Sequence, residues 1–157
     1  MRRKDREITD RNEIRAILCR ARVLHLGVNG GDRPYVVPLH YGFAWPEGAL
    51  PVFYVHGARE GKKLDLIRRD AKVFVEIDTP GELVSGGEQP CRYGALFESV
   101  MCSARAELLD EDEEKCAALA LLMKTQTGRD FAITPAMAAA VSVLRLRAET
   151  LSAKRRA

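Results

Sequence analysis

The residues best suited to chemistry lie together in the segment 56–63, which reads HGAREGKK. Gly57 and Gly61 can adopt backbone angles that other residues avoid, so neighbouring amide groups can point into one concavity. A helix predicted to begin at Lys62 would add its unpaired first N–H groups and the positive end of its dipole. Lys62 and Lys63 place two cations in that turn, where a cation is unfavourable unless an anion lies nearby. The segment therefore predicts a phosphate-binding site.

The same loop differs from the two best-known phosphate motifs. A Walker A loop needs GxxxxGK[ST], whereas here the two glycines are closer together and no hydroxyl residue follows Lys62. The sequence GVNGGD at residues 27–32 is not a dinucleotide fingerprint, because it leads into a hairpin and not a helix. A nicotinamide reductant is therefore expected to dock only transiently. On the loop alone, an ordinary glycine-containing connection with surface lysines remains the alternative.

The chain has three histidines, and His56 is the one at the predicted phosphate loop. A neutral imidazole has a pKa near 6.5 and can move a proton during reduction of a nitro or carbonyl group. The alternative is that His56 only hydrogen-bonds the loop backbone. His25 and His40 fall on separate predicted strands without ligand-like spacing, so no metal site is predicted.

The four cysteines carry no CxxC spacing and are predicted to be reduced thiols that play no part in the chemistry. Cys19 and Cys116 are predicted to lie on buried helix faces, where cysteine behaves as a small hydrophobic residue.

Hydrophobic periodicity and turn residues place these features on about six strands and four helices. Pro38 lies inside one predicted strand and requires an edge or a bulge there, because proline cannot donate a ladder hydrogen bond. The basic tail after the last predicted strand is expected to be solvated, and residues 79–90 to form a long surface loop. The predicted strands are 23–28, 34–44, 52–56, 71–78, 93–109 and 141–149, and the predicted helices are 10–22, 62–69, 110–127 and a short one opened by Thr134 and Pro135.

Length and composition indicate one mainly β domain over residues 1–157, an antiparallel barrel with peripheral helices. Strands and helices do not alternate regularly, which argues against a doubly wound parallel sheet. The chain is 46% hydrophobic and 30% charged, with a net charge of +3. That balance predicts no nucleic-acid or membrane partner. The sequence has no run of about 18 apolar residues and no apolar segment behind its basic start, so the cytoplasm is the expected location.

Three long phrases carry a family resemblance: RPYVVPLHYGF, LPVFYVHGAREGKKLDLIRRDAKVFVEID and LFESVMCSARAELLDEDEEK. They resemble the pyridoxamine 5′-phosphate oxidase-like split-barrel flavoproteins, and within them the branch related to 5-nitroimidazole resistance (Nim) proteins. The resemblance covers nearly the whole chain. It implies a six-stranded antiparallel Greek-key split barrel and a homodimer with FMN in two equivalent sites at the interface.

The resemblance also implies roles for individual residues. Lys62 and Lys63 match the basic pair that holds the flavin phosphate, and His56 matches a histidine facing the flavin or substrate pocket. His40 neighbours the flavin-edge strand. The remaining cofactor-binding positions implied are Gly57 and Ala58 by close backbone approach, Val36, Val37, Pro38 and Leu39 along the isoalloxazine edge, and Ser99 as a polar contact from the fifth strand.

The function implied is that of an FMN-dependent oxidoreductase acting on a small molecule such as a nitroimidazole or another nitroaromatic compound. Two alternatives stay open: a haem-binding protein on the same scaffold with His56 as the axial ligand, and a flavin binder without catalysis. Arg145 and Arg147 lie on the last predicted strand, but the arginine-histidine substrate motif of true pyridoxamine phosphate oxidases is missing. Oxidation of vitamin B6 is therefore not expected.

Overall fold

The computed structural model describes residues 3–156 and has one large and one very small antiparallel sheet. Two single 3₁₀ turns, Lys4–Arg6 and Pro90–Arg92, accompany the regular elements. Those elements are, in chain order, β1 (Glu7–Ile8), α1 (Arg11–Arg20), β2 (Val23–Val28), β3 (Tyr35–Ala44), β4 (Val52–Gly57), α2 (Lys62–Arg69), β5 (Lys72–Thr79), β6 (Leu83–Val84), β7 (Gly94–Ala95), β8 (Phe97–Leu108), α3 (Asp112–Thr127), α4 (Pro135–Ala138), β9 (Ser142–Ala148) and β10 (Ser152–Arg156).

The large sheet closes on itself into a six-stranded barrel. Its strands follow the order β1-β10-β8-β5-β2-β3-β4-β9, and an additional pairing between β8 and β9 closes the ring. The barrel strands are therefore β2, β3, β4, β9, β8 and β5, and every pair is antiparallel. This confirms the predicted fold class, a mainly β split barrel. The predicted domain bounds also include residues 1, 2 and 157, which lie outside the described part of the chain.

Alternating side chains fill the barrel. In β2, Leu24 and Leu26 are fully buried and the residues between them face outward, as a strand with one wet face requires. Phe53 and Val55 of β4 and Val75 of β5 enter the same core. Fully burying a side chain of this size contributes about 1.5–3 kcal/mol, so the alternation itself supplies the driving force for closure.

The chain continues beyond the strand that was expected to be the last one. β10 pairs with the first half of β8, while β9 pairs with the second half. The prediction of a solvated basic tail is therefore wrong for Lys154, Arg155 and Arg156, which are all half-buried in β10. Arg155 pairs with Glu98 at 2.7 Å and with Glu13 at 3.1 Å. The strand was missed because its basic residues are accommodated by distant parts of the chain: Arg155 by these two carboxylates and Lys154 by the Phe97 ring, 5.4 Å from its Nζ.

The glycine-rich segment before β8 also has more structure than a plain loop. Residues Leu83–Val84 pair with Gly94–Ala95 in a two-stranded ribbon. β8 accordingly begins at Phe97, later than the predicted residue 93. Both ribbon strands are only two residues long, too short to give an alternating pattern.

The helices cover the barrel from outside, and two of them follow their predicted signals closely. Asp10 caps α1 by accepting a hydrogen bond from the Glu13 N–H at 2.9 Å, and α2 has the predicted bounds. Cys19 is exposed, so its predicted burial is wrong. The buried stripe of α1 runs through Ile14, Ile17 and Leu18, and position 19 lies off it. Cys116 of α3 is partly buried.

The longest helix, α3, packs against β3, β4 and β9. It approaches β3 closely at Gly42, where a Cβ atom would lie 2.5 Å from the Leu122 Cα. Glycine is required there because the two backbones touch. Within residues 3–156, no helix has both the length and the apolar character needed to cross a membrane.

Candidate functional site

β3 and β4 run together for only half of their length and then separate. Tyr41–Ala44 pairs with Val52–Val55, and the ladder ends there. From Tyr35 to His40, β3 pairs with β2 alone, while His56 and Gly57 of β4 pair with β9. The opening between Tyr35–His40 and His56–Lys63 is called the split below. One edge of β3 is therefore free to meet a ligand.

Four residues along this free edge were predicted to contact a flavin: Val36, Val37, Pro38 and Leu39. Val36 is 58% exposed, which is high for a large apolar side chain in a strand. Val37 and Leu39 alternate with it and pack partly on the core. Pro38 lies where β3 has one strand neighbour, so the predicted edge position is confirmed.

The loop from β4 to α2 is held by hydrogen bonds to the opposite strand. The Ser142 hydroxyl donates to the carbonyl oxygen of Ala58 at 2.8 Å. Gly61 caps α2 with φ of +132°, a conformation that favours glycine, and has no side chain to satisfy the first helical N–H groups. The start of α2 therefore presents free amide donors beside the split.

The side chains of Lys62 and Lys63 extend toward opposite sides of the split, one toward β3 and the other toward β4. The Lys62 Nζ lies 4.9 Å from the centre of the Tyr35 ring on β3. Lys63 reaches back to β4, since a Cβ at Gly57 would lie 2.6 Å from its Nζ. A side chain at position 57 would have to displace the Lys63 ammonium group, which occupies that space.

Charge at this turn is positive and uncompensated. Within residues 3–156, neither Lys62 nor Lys63 has a carboxylate within 4 Å. Burial lowers the pKa of the Lys63 ammonium, which is the expected response of a cation without a partner. The nearest helical carboxylate, Asp65, forms an ion pair with Arg68 at 3.4 Å instead. The cradle of amides and ammonium groups fits a phosphate group.

His56 faces this cradle from the end of β4. Burial lowers its pKa, and the positive charge of Lys63 and the neighbouring His40 lower it further. The imidazole is therefore neutral at neutral pH. His40 lies at the end of the β3 edge that borders the split. Its Nδ1–H donates to the Arg22 carbonyl at 3.0 Å. The two histidines thus lie on opposite sides of the same opening.

Ser99 is the predicted cofactor residue that the fold does not bring to the split. It lies on β8, and β5 and β2 separate that strand from β3. Its ladder neighbours are Asp78 and Lys154. Among the described residues, its Oγ is the one buried side-chain polar atom without a hydrogen-bond partner.

Other residues of the site carried no recognisable sequence signal. Tyr35 and Ser142 act through partners that are distant in the chain, and only the folded barrel reveals them. The sequence showed no metal-ligand spacing around His25. In the folded chain, however, strand pairing brings His25 next to Glu76 and Asp78.

Arg145 has a structural role. It contacts Glu107 and Glu114 at 3.0 Å each and is largely buried between β9, β8 and α3. These carboxylates raise its pKa and use its donors. Arg145 is therefore not free to bind a substrate phosphate, in agreement with the missing substrate motif.

A six-stranded antiparallel barrel with a split beside a cationic helix start is the architecture of the split-barrel proteins. The sequence pattern of the pyridoxamine 5′-phosphate oxidase family matches residues 10–155. The chain therefore belongs to this family, which confirms the predicted membership. Among curated protein sequences, none matches the chain.

Solved structures support the same assignment. A candidate 5-nitroimidazole antibiotic resistance protein from Bacteroides thetaiotaomicron is 27% identical with a TM-score of 0.80, over 95% of this chain and 86% of that one. The flavocytochrome Anf3 from Azotobacter vinelandii is 22% identical with a TM-score of 0.78, over 100% and 72%. An FAD and haem binding protein from Mycobacterium smegmatis is 18% identical with a TM-score of 0.77, over 96% and 73%. The predicted relation to the Nim branch is confirmed by the first of these.

Proposed function

We propose that this protein binds FMN in the split and acts as a flavin-dependent oxidoreductase on a small aromatic acceptor, such as a nitroaromatic or quinone-like compound. The observation that carries the proposal is the uncompensated positive charge of Lys62 and Lys63 at a helix start without a side-chain cap, beside a free strand edge. Likeness to the nitroimidazole resistance protein structure adds support for the acceptor class.

The phosphate end would lie at the start of α2. There the two ammonium groups and the first helical amides donate to its oxygens, and Gly57 and Ala58 allow close backbone approach. The ring would lie along the free edge of β3, against the backbone of Val36–Leu39. Bound FMN supplies hydride transfer, and the chain supplies placement and electrostatics.

His56 would serve as the proton relay. With a lowered pKa it is neutral at neutral pH and can accept a proton at one ring nitrogen while donating from the other. Its protonated form is a stronger acid than an ordinary imidazolium, which favours proton delivery to the reduced acceptor. This role requires the substrate to stack on the ring at the His56 side of the split.

A homodimer with the cofactor at the interface is part of the proposal. Val36 and Phe74 are 58% and 49% exposed. Both lie opposite Gly27 in adjacent ladders, so they form one apolar row on the outer barrel face. A second copy would cover this row and close the split. Ser99, which is distant from the split in its own chain, would contact the flavin only from that copy.

Haem is the second candidate cofactor, with His56 as the axial ligand. The feature that favours it is the half-buried position of His56 beside Lys63, which lowers its pKa and so favours the neutral imidazole that iron requires as a ligand. Two of the similar structures are a flavocytochrome and an FAD and haem binding protein. Binding of either group without turnover would correspond to the non-catalytic alternative.

Absorption spectra of the purified protein separate these possibilities. FMN binding predicts flavin bands and release of FMN on denaturation, whereas haem binding predicts a Soret band that is lost in His56→Gln. Anaerobic mixing of the photoreduced holoprotein with nitroaromatic and quinone acceptors then tests turnover. We expect reoxidation of the flavin that is slower in His56→Gln with unchanged FMN content. A protein that takes up no flavin would contradict the proposal.

A further inference from the structure

A second group of ionisable side chains lies on the outer face of the barrel, next to the strand that borders the split. It consists of His25 on β2 with Glu76 and Asp78 on β5. His25 and Glu76 are directly opposite in the ladder, with 3.2 Å between Nδ1 and Oε2. Asp78 follows two residues later and so lies on the same face. One donor atom from each residue lies within 4.8 Å of the other two.

This arrangement brings two carboxylates together without a matching cation. Within residues 3–156, no lysine or arginine lies within 4 Å of Glu76 or Asp78. Burial and the charge of Asp78 raise the pKa of Glu76. The charge of Lys154 lowers the pKa of Glu76 and so acts in the opposite direction, but the Lys154 Nζ lies over the Phe97 ring, 5.4 Å from its centre. The cluster thus has an excess of negative charge.

An independent observation at the next strand points to a missing partner. Ser99 is 5% exposed, and its hydroxyl has no hydrogen-bond partner. It is directly opposite Asp78 in the β5–β8 ladder, so its side chain lies on the same face as that carboxylate. Directly opposite residues in such a ladder have Cβ atoms about 4.5–5.5 Å apart. A buried hydroxyl without a partner is unfavourable, and an ordered ligand beside Asp78 would satisfy it.

We propose that His25, Glu76 and Asp78 bind one divalent first-row transition-metal ion, such as Mn²⁺ or Zn²⁺, and that the Ser99 hydroxyl hydrogen-bonds to a water on that ion. One imidazole nitrogen and two carboxylate oxygens form a ligand set suited to these ions. Ligand bonds of about 2.0–2.2 Å place neighbouring donor atoms roughly 3–4 Å apart. The 3.2 Å between His25 Nδ1 and Glu76 Oε2 agrees with this spacing, and the Asp78 donor atom lies within 4.8 Å of both. The ion would tie β2 to β5 beside the strand that borders the split.

This site could not be predicted from the sequence, because its ligands come from two strands that are about fifty residues apart. A histidine alone in β2 and two alternating carboxylates in β5 are each ordinary outward-facing residues. Only the register that places His25 opposite Glu76 brings them together. The three proposed metal ligands are not among the residues proposed to bind flavin. Ser99 is used by both proposals, so the metal site is tested in flavin-free protein, where the Ser99 hydroxyl is available to a metal-bound water.

Calorimetric titration of EDTA-treated, flavin-free protein with Mn²⁺ or Zn²⁺ at pH 7 tests the site, with Mn²⁺ electron paramagnetic resonance as a second readout. We expect one ion per chain. His25→Gln and Asp78→Asn should each weaken binding about 100-fold or more, because outer-shell changes alone cost 10–100-fold. Ser99→Ala should weaken it about tenfold.

Matched controls are His40→Gln, a histidine on the neighbouring strand, and Asp65→Asn, an exposed carboxylate on α2; both should bind metal like the unmodified chain. Circular dichroism shows whether each variant is folded. Absence of any binding by the folded unmodified protein at about 1 mM metal would overturn the proposal. So would a loss of binding that follows His40→Gln and not His25→Gln, because the ion would then lie between His40 and His56.

Discussion

The two halves of β3 differ in what lies beside them. Residues Tyr41–Ala44 pair with β4 and lie under α3, and Tyr41 and Phe43 are buried. Residues Tyr35–His40 pair with β2 alone and are exposed or half-buried. Both halves are rich in apolar and aromatic residues. A strand of uniform composition is thus core at one end and binding surface at the other.

The difference teaches that a functional edge can be made by leaving one edge of a strand uncovered. Each half of β3 pairs with one strand, but α3 packs on the closed half, where the Gln126 side chain donates to the Tyr41 carbonyl at 2.8 Å. The Tyr41 hydroxyl of the closed half also has a partner inside the chain, since it donates to the Leu18 carbonyl at 2.8 Å. In the open half, backbone groups and two lysines face the split without such partners. The barrel supplies rigidity on one side and available donors on the other, which is how binding sites are generally built on folds.

The largest effect is expected from removing both lysines that face the open half from α2. Lys62→Ala with Lys63→Ala should lower FMN affinity about 100-fold or more, because each charge-assisted hydrogen bond contributes about 1.5–3 kcal/mol. Fluorescence titration of FMN measures the change. The matched control, Lys72→Ala with Lys115→Ala, removes the same charge elsewhere and should bind FMN normally. Equal losses in both double variants would mean that only net charge matters.

In the closed half, Gly42→Ala should destabilise the fold by about 1–3 kcal/mol, the usual range for overpacking. The added Cβ would lie 2.5 Å from the Leu122 Cα and push α3 away from β3. Urea denaturation measures the free energy of unfolding. Gly27→Ala is the control, since its Cβ would meet ordinary contacts at 3.5 Å and beyond. A Gly42→Ala protein as stable as the control would show that α3 does not pack tightly on β3.

A smaller contrast should appear between two tyrosines on the same strand. Tyr41→Phe should lower the free energy of unfolding by about 1 kcal/mol, because the buried Leu18 carbonyl loses its donor. Tyr35→Phe in the open half should leave stability unchanged and retain the ring beside Lys62. Chemical denaturation of both variants provides the comparison. Similar losses at the two positions would remove the distinction between the halves.

The smallest expected effect is a pH dependence that arises from His56. Its pKa is lower in the folded protein than the ordinary value of about 6.5. As pH falls below 6.5, the unfolded chain takes up the proton first, so stability decreases toward the folded pKa. Unfolding midpoints at pH 7.5 and 5.5 should therefore differ less in His56→Gln than in the unmodified protein. An NMR titration that gives His56 a pKa at or above 6.5 would contradict this.

Local signals in the sequence predicted most of the barrel, because alternation and turn residues are written into each segment. The bounds of β2 and α2 are as predicted, and Asp10 caps α1 as expected. β10 was missed because the carboxylates that pair with its Arg155 come from elements distant in the chain. Cys19 was wrongly predicted to be buried. The buried face of α1 contains Ile17 and Leu18, and the next residue along the helix, Cys19, lies outside that face.

The candidate site also has one part that could be predicted from the sequence and one part that could not. The lysines and glycines of the loop lie within eight residues, so their convergence follows from one turn. The parting of β3 from β4, the contact of Lys62 with Tyr35 and the meeting of His25 with Glu76 all depend on strand register. Register is a property of the whole sheet, and no single segment reveals it.

The most direct test compares the affinities of FMN and riboflavin, which differ only in the phosphate group, for the unmodified protein by fluorescence quenching. If the start of α2 holds the phosphate, FMN should bind about 100-fold more tightly or better, and the preference should nearly vanish in the Lys62→Ala, Lys63→Ala protein. Equal affinities for the two compounds in the unmodified chain would contradict the central claim, because the cationic helix start would then contribute nothing to flavin binding.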